Sequence, residues 1–163
     1  MARKNIDRKV RELDKDFSLT SIEGKIRENL AIVMLLKEGY RVSLPVVDVR
    51  YDLIVERYPK FMRIQVKNLK LEYMAVPEQP LSIDQYVIRA YSSPRGERAT
   101  YSKDDTDFVM GINIDTEDFA IIPVEKIPSS GIIKISEQCD RKEYFNSFKA
   151  LEEFESNANF LEK

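Results

Sequence analysis

The chain has no histidine among its 163 residues, and that absence excludes more chemistry than any other feature of its composition. Histidine-dependent triads, an imidazole general base and the commonest zinc ligand are all ruled out, so any catalysis has to use carboxylates, lysine, tyrosine or a metal. Cysteine is nearly absent too. Cys139 has no partner for an internal disulfide and no second thiolate for a metal site, which fits a reducing compartment and a structural residue. No apolar run approaches the length needed to cross a bilayer, and the polar opening MARKNIDRKVRELDKD lacks the apolar segment of a signal peptide. A cytoplasmic protein without membrane contact is therefore expected. Repeats and low-complexity segments are missing, and with a net charge of -2 there is no global basic field to attract nucleic acid.

What is present is enough hydrophobic content, 43%, for a single core, so one domain is expected over residues 1–163. Charge is unevenly distributed. Arg3, Lys4, Arg8, Lys9 and Arg11 face only Asp7 in the first eleven residues, whereas the last 28 residues hold seven acids against four bases. A basic arm and an acidic tail result.

The pattern predicts a short helix over residues 6–16, within an N-terminal arm of residues 1–18. A second helix is opened by a capping box at Thr20 and Glu23 and closed by Gly39. Short strands follow in RVSLPV, YDLIVE and MRIQVKN, the last two joined through Tyr58, Pro59 and Lys60. Further strands are expected in DQYVIRAY, DFVMGINI, DFAIIPV and GIIKIS. A helical stripe of Tyr144, Phe148 and Leu151, flanked by Phe145 and Phe154, marks a C-terminal helix within residues 140–163. The class is α+β, a central mixed β-sheet flanked by helices. The longest polar connection, residues 92–105, separates two of the strands.

The stretch RYDLIVERYPKFMRIQVKN carries the candidate chemistry. With a period of two, Met62, Ile64 and Val66 point into the core while Arg63, Gln65 and Lys67 share the other face. Pairing with the preceding strand brings Asp52 beside Gln65 and Lys67. On the second helix Glu28 continues the row of Ile32 and Leu35, so its carboxylate sits in line with apolar residues and needs a partner. Hard divalent ions prefer such oxygens: Asp52, Glu28 and the Val66 carbonyl are candidate ligands for Mg²⁺ or Mn²⁺. The ion would polarise a phosphodiester and acidify a bound water, and Lys67 would orient that water or stabilise developing charge.

Acid-x-Lys triplets are common in a chain that is 33% charged, and Asp7, Glu23 and Asp140 each begin one. The alternating strand and the neighbouring Asp52 are what set Gln65-x-Lys67 apart. The bland alternative for Asp52 is an exposed strand carboxylate paired with a lysine, and for Glu28 an acid in the first turns of a helix favoured by its dipole.

In these residues the chain resembles the PD-(D/E)XK nuclease superfamily, whose core is a helix bearing Glu, a strand bearing Asp and a strand bearing (Asp/Glu)-x-Lys. It departs at Gln65. That Gln-x-Lys form, with GKIRE, GYRVSLP, RYDLIVE and RIQVKN, resembles the branch of group I intron homing endonucleases with this fold. The resemblance covers residues 20–70 and implies a restriction-endonuclease-like catalytic core in which Asp52, Gln65, Lys67 and Glu28 act together on double-stranded DNA with Mg²⁺. Restriction, repair or junction-resolving nucleases are the near alternatives, and a DNA-binding module without catalysis is the alternative of another class. No LAGLIDADG-like stretch is present, and histidine-based homing types are excluded.

A nuclease with a net charge of -2 has to concentrate its cations where the duplex lies. The basic arm supplies Arg3, Lys4 and Arg8. Residues 85–105 supply Arg89, Arg95, Arg98 and Lys103, interleaved with Tyr91 and Tyr101, on a ribbon suited to a major groove. One active site per chain against two DNA strands makes a homodimer or homotetramer the expectation.

Overall fold

The structure is a computed structural model that describes residues 19–74, 83–93, 96–136 and 139–158. The expected arm helix, with Arg3, Lys4 and Arg8, lies outside the described residues, as does Arg95. Helix α1 spans Leu19–Lys37. Thr20 is already inside its first described turn, so the capping box does not mark its start. Its end follows the sequence closely: Gly39 adopts φ 83°, a left-handed conformation that suits glycine. Gly39 N–H donates to the Leu36 carbonyl and Tyr40 N–H to the Leu35 carbonyl, a Schellman closure that satisfies the last carbonyls.

Among the described residues nine strands follow: β1 Arg41–Ser43, β2 Leu53–Arg57, β3 Lys60–Met74, β4 Ile83–Arg89, β5 Tyr91–Ser92, β6 Ala99–Thr100, β7 Phe108–Ile112, β8 Phe119–Pro123 and β9 Ile132–Ile135. Seven form one sheet in which β1-β2-β3-β4-β9 are successive neighbours and β7 joins β3 to β8. Among the described residues only the β3–β7 pairing is parallel, so the sheet is mixed. β5 and β6 form a separate two-stranded ribbon inside the long polar connection.

β3 is the spine of the sheet. It is longer than the sequence pattern predicts, because its polar continuation KLEYM stays extended by pairing with β4 at Leu69 to Met74. Its first residues pair with β2, from Arg57 opposite Lys60 to Leu53 opposite Ile64, and residues 64–68 pair with β7. Leu53, Val55, Met62 and Ile64 are fully buried, as are Ala31 and Leu35 of α1, which anchor the helix to this face. Each of the larger of these side chains is worth about 1.5–3 kcal/mol in water-to-core transfer.

The C-terminal stripe is not one continuous helix. A 3-10 turn over Asp140–Tyr144 precedes helix α2, Lys149–Ala158. The break is at Asn146, which adopts φ 47° and binds β8 instead. Its N–H donates to the Phe119 carbonyl at 2.7 Å and its Oδ1 accepts the Phe119 N–H at 2.8 Å. Tyr144 and Leu151 are nonetheless buried, so the stripe packs against the core as its apolar residues require.

Candidate active site

The site begins where the β2–β3 ladder stops. Asp52, just before β2, donates its N–H to the Ile64 carbonyl at 2.9 Å, the last backbone contact between the two segments. Two residues further along β3, the Val66 N–H on the same edge has no backbone partner across that gap. The Asp52 carboxylate takes it: Val66 N–H donates to Oδ2 at 2.7 Å, and Gln65 Nε2 donates to the same oxygen at 2.5 Å. The amide orientation of Gln65 follows from this, because its oxygen against a carboxylate would repel. Asp52 Oδ1 accepts no hydrogen bond among the described residues.

Within a strand a residue's N–H and C=O point to the same side. The Val66 carbonyl is therefore turned toward Asp52, and Gln65 Nε2 also reaches it at 3.3 Å. Glu28 enters from α1. It lies one turn before Ala31 on the helix face that packs on the sheet, and its neighbour on the helix surface is Lys25. Glu23, five residues earlier, is paired with Arg27 at 3.8 Å and lines a different cavity.

Asp52, Gln65, Val66, Lys67 and Glu28 line one open cleft of about 320 Å³. Arg27, Lys70 and Arg89 stand around it, so cations outnumber carboxylates on its walls. Arg63, expected on the same face, is drawn away by Asp107, which accepts from its backbone N–H at 2.7 Å and its guanidinium at 3.0 Å. Lys67 has no ion pair among the described residues, and its ammonium lies 5.1 Å from the Tyr101 ring centroid.

Burial lifts the Asp52 carboxyl above its ordinary value, and the Glu28 charge adds to this. The Val66 N–H, Lys67 and Lys25 oppose the rise without cancelling it. A cation beside Oδ1 would relieve the same strain. Asp52 Oδ1, the Val66 carbonyl and Glu28 are all hard oxygen donors, and among the described residues no group of three or more His, Cys, Asp or Glu gathers anywhere. Oxygen donors of that kind suit an ion that keeps several waters and takes phosphate oxygens, as Mg²⁺ does.

The candidate DNA contacts are dispersed. Arg89 lines the cleft and is bound to Glu72 at 3.0 Å. In the ribbon, the exposed Arg98 stacks on Tyr91 with its Cζ 4.8 Å from the ring centroid. Lys103 is exposed and 4.0 Å from Glu125. Tyr101 is buried, 8% exposed, rather than displayed on the loop. Sequence reasoning missed Arg27 and Lys70 at the cleft, and Arg50, whose guanidinium joins the ribbon to the segment bearing Asp52. Arg27 adjoins the marked Glu28 and Lys70 lies three residues past Lys67; nothing local marked Arg50.

A helix carrying a carboxylate, laid on a mixed sheet whose long strand bears Gln65-x-Lys67 beside Asp52, defines a restriction-endonuclease-like fold. The chain belongs to the PD-(D/E)XK endonuclease family, whose model matches residues 19–157, and is thus a nuclease. Among solved structures it is similar to the bacterial homing endonuclease I-Ssp6803I, with 22% sequence identity and a TM-score of 0.68 over 86% of this chain and 97% of that one. That likeness is one of fold. A comparison with curated proteins gives no match. No helix among the described residues is long and apolar enough to cross a membrane.

Proposed function

We propose that the protein is a divalent-metal-dependent endonuclease that cuts double-stranded DNA at specific sites, as a homing enzyme does. The observation that carries this reading is the clamp on Asp52: one carboxylate oxygen is held by Val66 N–H and Gln65, while the other accepts no hydrogen bond among the described residues, in a cleft shared with Glu28 and Lys67. The homing assignment is supported by the Gln-x-Lys form and by the fold shared with I-Ssp6803I.

In this reading Asp52, the Val66 carbonyl and Glu28 hold the ion. When bound, Mg²⁺ or Mn²⁺ supplies Lewis-acid polarisation of the scissile phosphate and lowers the pKa of a water. Gln65 acts as a donor that fixes the Asp52 carboxylate so that its other oxygen faces the cleft. Lys67 brings positive charge to the place where the phosphate gains negative charge in the transition state. Arg27, Lys70 and Arg89 on the cleft walls would neutralise neighbouring backbone phosphates. Two strands and one cleft per chain call for paired copies, a homodimer or homotetramer.

Incubating the protein with plasmid libraries in Mg²⁺ and sequencing the ends tests this. Discrete cleavage at a long site supports it. Binding without any cleavage in Mg²⁺ or Mn²⁺ would instead favour a non-catalytic DNA-binding module.

A further inference from the structure

The cleft is tied to the ribbon through one aromatic ring. Tyr101 is 8% exposed, and its hydroxyl makes no hydrogen bond among the described residues. Two cations lie by that ring: Lys67 Nζ at 5.1 Å and Arg50 Cζ at 4.8 Å from the centroid. Arg50 is itself fastened to both ribbon strands, donating to Ser92 Oγ on β5 and to the Ala99 carbonyl on β6, each at 3.2 Å. It also pairs with Asp105 at 2.9 Å, and that carboxylate is held in turn by the N–H and hydroxyl of Ser102.

Lys67 has a flexible stem and no ion pair among the described residues, so left alone its ammonium would sample many positions. The negative face of an aromatic ring attracts a cation without neutralising it or engaging its three donors in strong hydrogen bonds. We propose that Tyr101 is the positioning residue for Lys67, its ring braced by Arg50 against the β5–β6 ribbon so that the ammonium is held toward the cleft and stays available to the phosphate. The inference rests on the reading that Lys67 serves phosphodiester cleavage in that cleft.

The test compares Tyr101→Leu, Tyr101→Phe and pentafluorophenylalanine at position 101, which keeps the ring's size but withdraws the negative charge from its face. Single-turnover cleavage is measured in Mg²⁺, duplex affinity in Ca²⁺, and the chemical shift of the Lys67 Hε protons by NMR. Loss of the ring or of its charge slows cleavage by about tenfold or more, with affinity within about twofold of wild type. Tyr101→Phe recovers the rate. The Lys67 Hε resonances, shifted upfield by the ring in wild type and Tyr101→Phe, move back toward the free-lysine position in Tyr101→Leu. Where Tyr101→Leu does not fold, the fluorinated protein decides. A folded Tyr101→Leu or fluorinated variant that cuts at the wild-type rate overturns the inference. Lys67→Ala separates the two levels: if it still cuts, the reading of the cleft fails, and if it is inert while the ring variants cut normally, only the role of Tyr101 fails.

Discussion

Gln65 donates its side-chain N–H to the Oδ2 of Asp52 at 2.5 Å, so the amide acts as a donor to the neighbouring acid. This changes what Gln65→Glu should do. A glutamate there sets two carboxylates against each other and removes a hydrogen bond, which should destabilise the metal-free protein by about 1–3 kcal/mol at neutral pH. Saturating Mg²⁺ should restore much of that loss and bind the variant more tightly than wild type. Urea unfolding with and without Mg²⁺ measures both effects; equal stability of the two metal-free proteins would contradict the donor role.

Asp52→Asn should inactivate the enzyme and stabilise it. The folded carboxyl titrates above its ordinary value of 3.8, chiefly through burial, so ionising it opposes folding. The sign follows: metal-free wild type loses stability relative to the Asn variant as pH rises from about 3.8 through the folded value, and above that the gap stays constant. Thermal melts of both proteins in EDTA from acid to neutral pH check this. A variant no more stable than wild type at neutral pH would show that Asp52 is not under such strain.

Asp118 should behave in the opposite way and leave cleavage unaffected. Burial pushes its carboxyl up, but hydrogen bonds from Tyr86, Asn146 and Thr116 outweigh it and hold the group below its ordinary 3.8. Its contribution is complete above that value and is lost as pH falls through the depressed folded value. Asp118→Ala should lower stability by about 1–3 kcal/mol at neutral pH and flatten the acid limb of the stability profile. Differential scanning calorimetry across acid pH reads the change.

Arg98 tests the ribbon. It is exposed, stacked on Tyr91, and on the element that Arg50 joins to the segment bearing Asp52. Arg98→Ala should weaken duplex binding by about 1–3 kcal/mol and relax sequence preference at one position if it reads a base. Binding to a randomised duplex pool, followed by sequencing, separates this from a phosphate contact, which would weaken all sequences alike.

The parts of this structure that were legible in advance are those encoded locally. Alternation in MRIQVKN buried Met62 and Ile64 and left Gln65 facing Asp52, and Gly39 closed its helix, because each needs only a few neighbouring residues. Glu28 and Glu23 could not be separated along the sequence; the packing of Ala31 and Leu35 turns Glu28 alone to the cleft. The C-terminal stripe had the right residues, but Asn146 left the helix for Phe119, a partner 27 residues away. Tyr101 read as a loop tyrosine because its cations, Arg50 and Lys67, come from distant segments. Arg63 was lost to the cleft in the same way, captured by Asp107 across the parallel β3–β7 pairing. Contacts of that range are set by topology, which periodicity does not report.

The most direct test of the account is single-turnover cleavage of a selected duplex by wild type, Asp52→Ala and Lys67→Ala in Mg²⁺, with affinity measured in parallel in Ca²⁺. Wild type should cut both strands. Each variant should lose at least about a hundredfold in rate, the scale expected when an electrostatic contact to the transition state is removed, while still binding the duplex. Cleavage at the wild-type rate by either variant would contradict the assignment of this cleft as the catalytic centre.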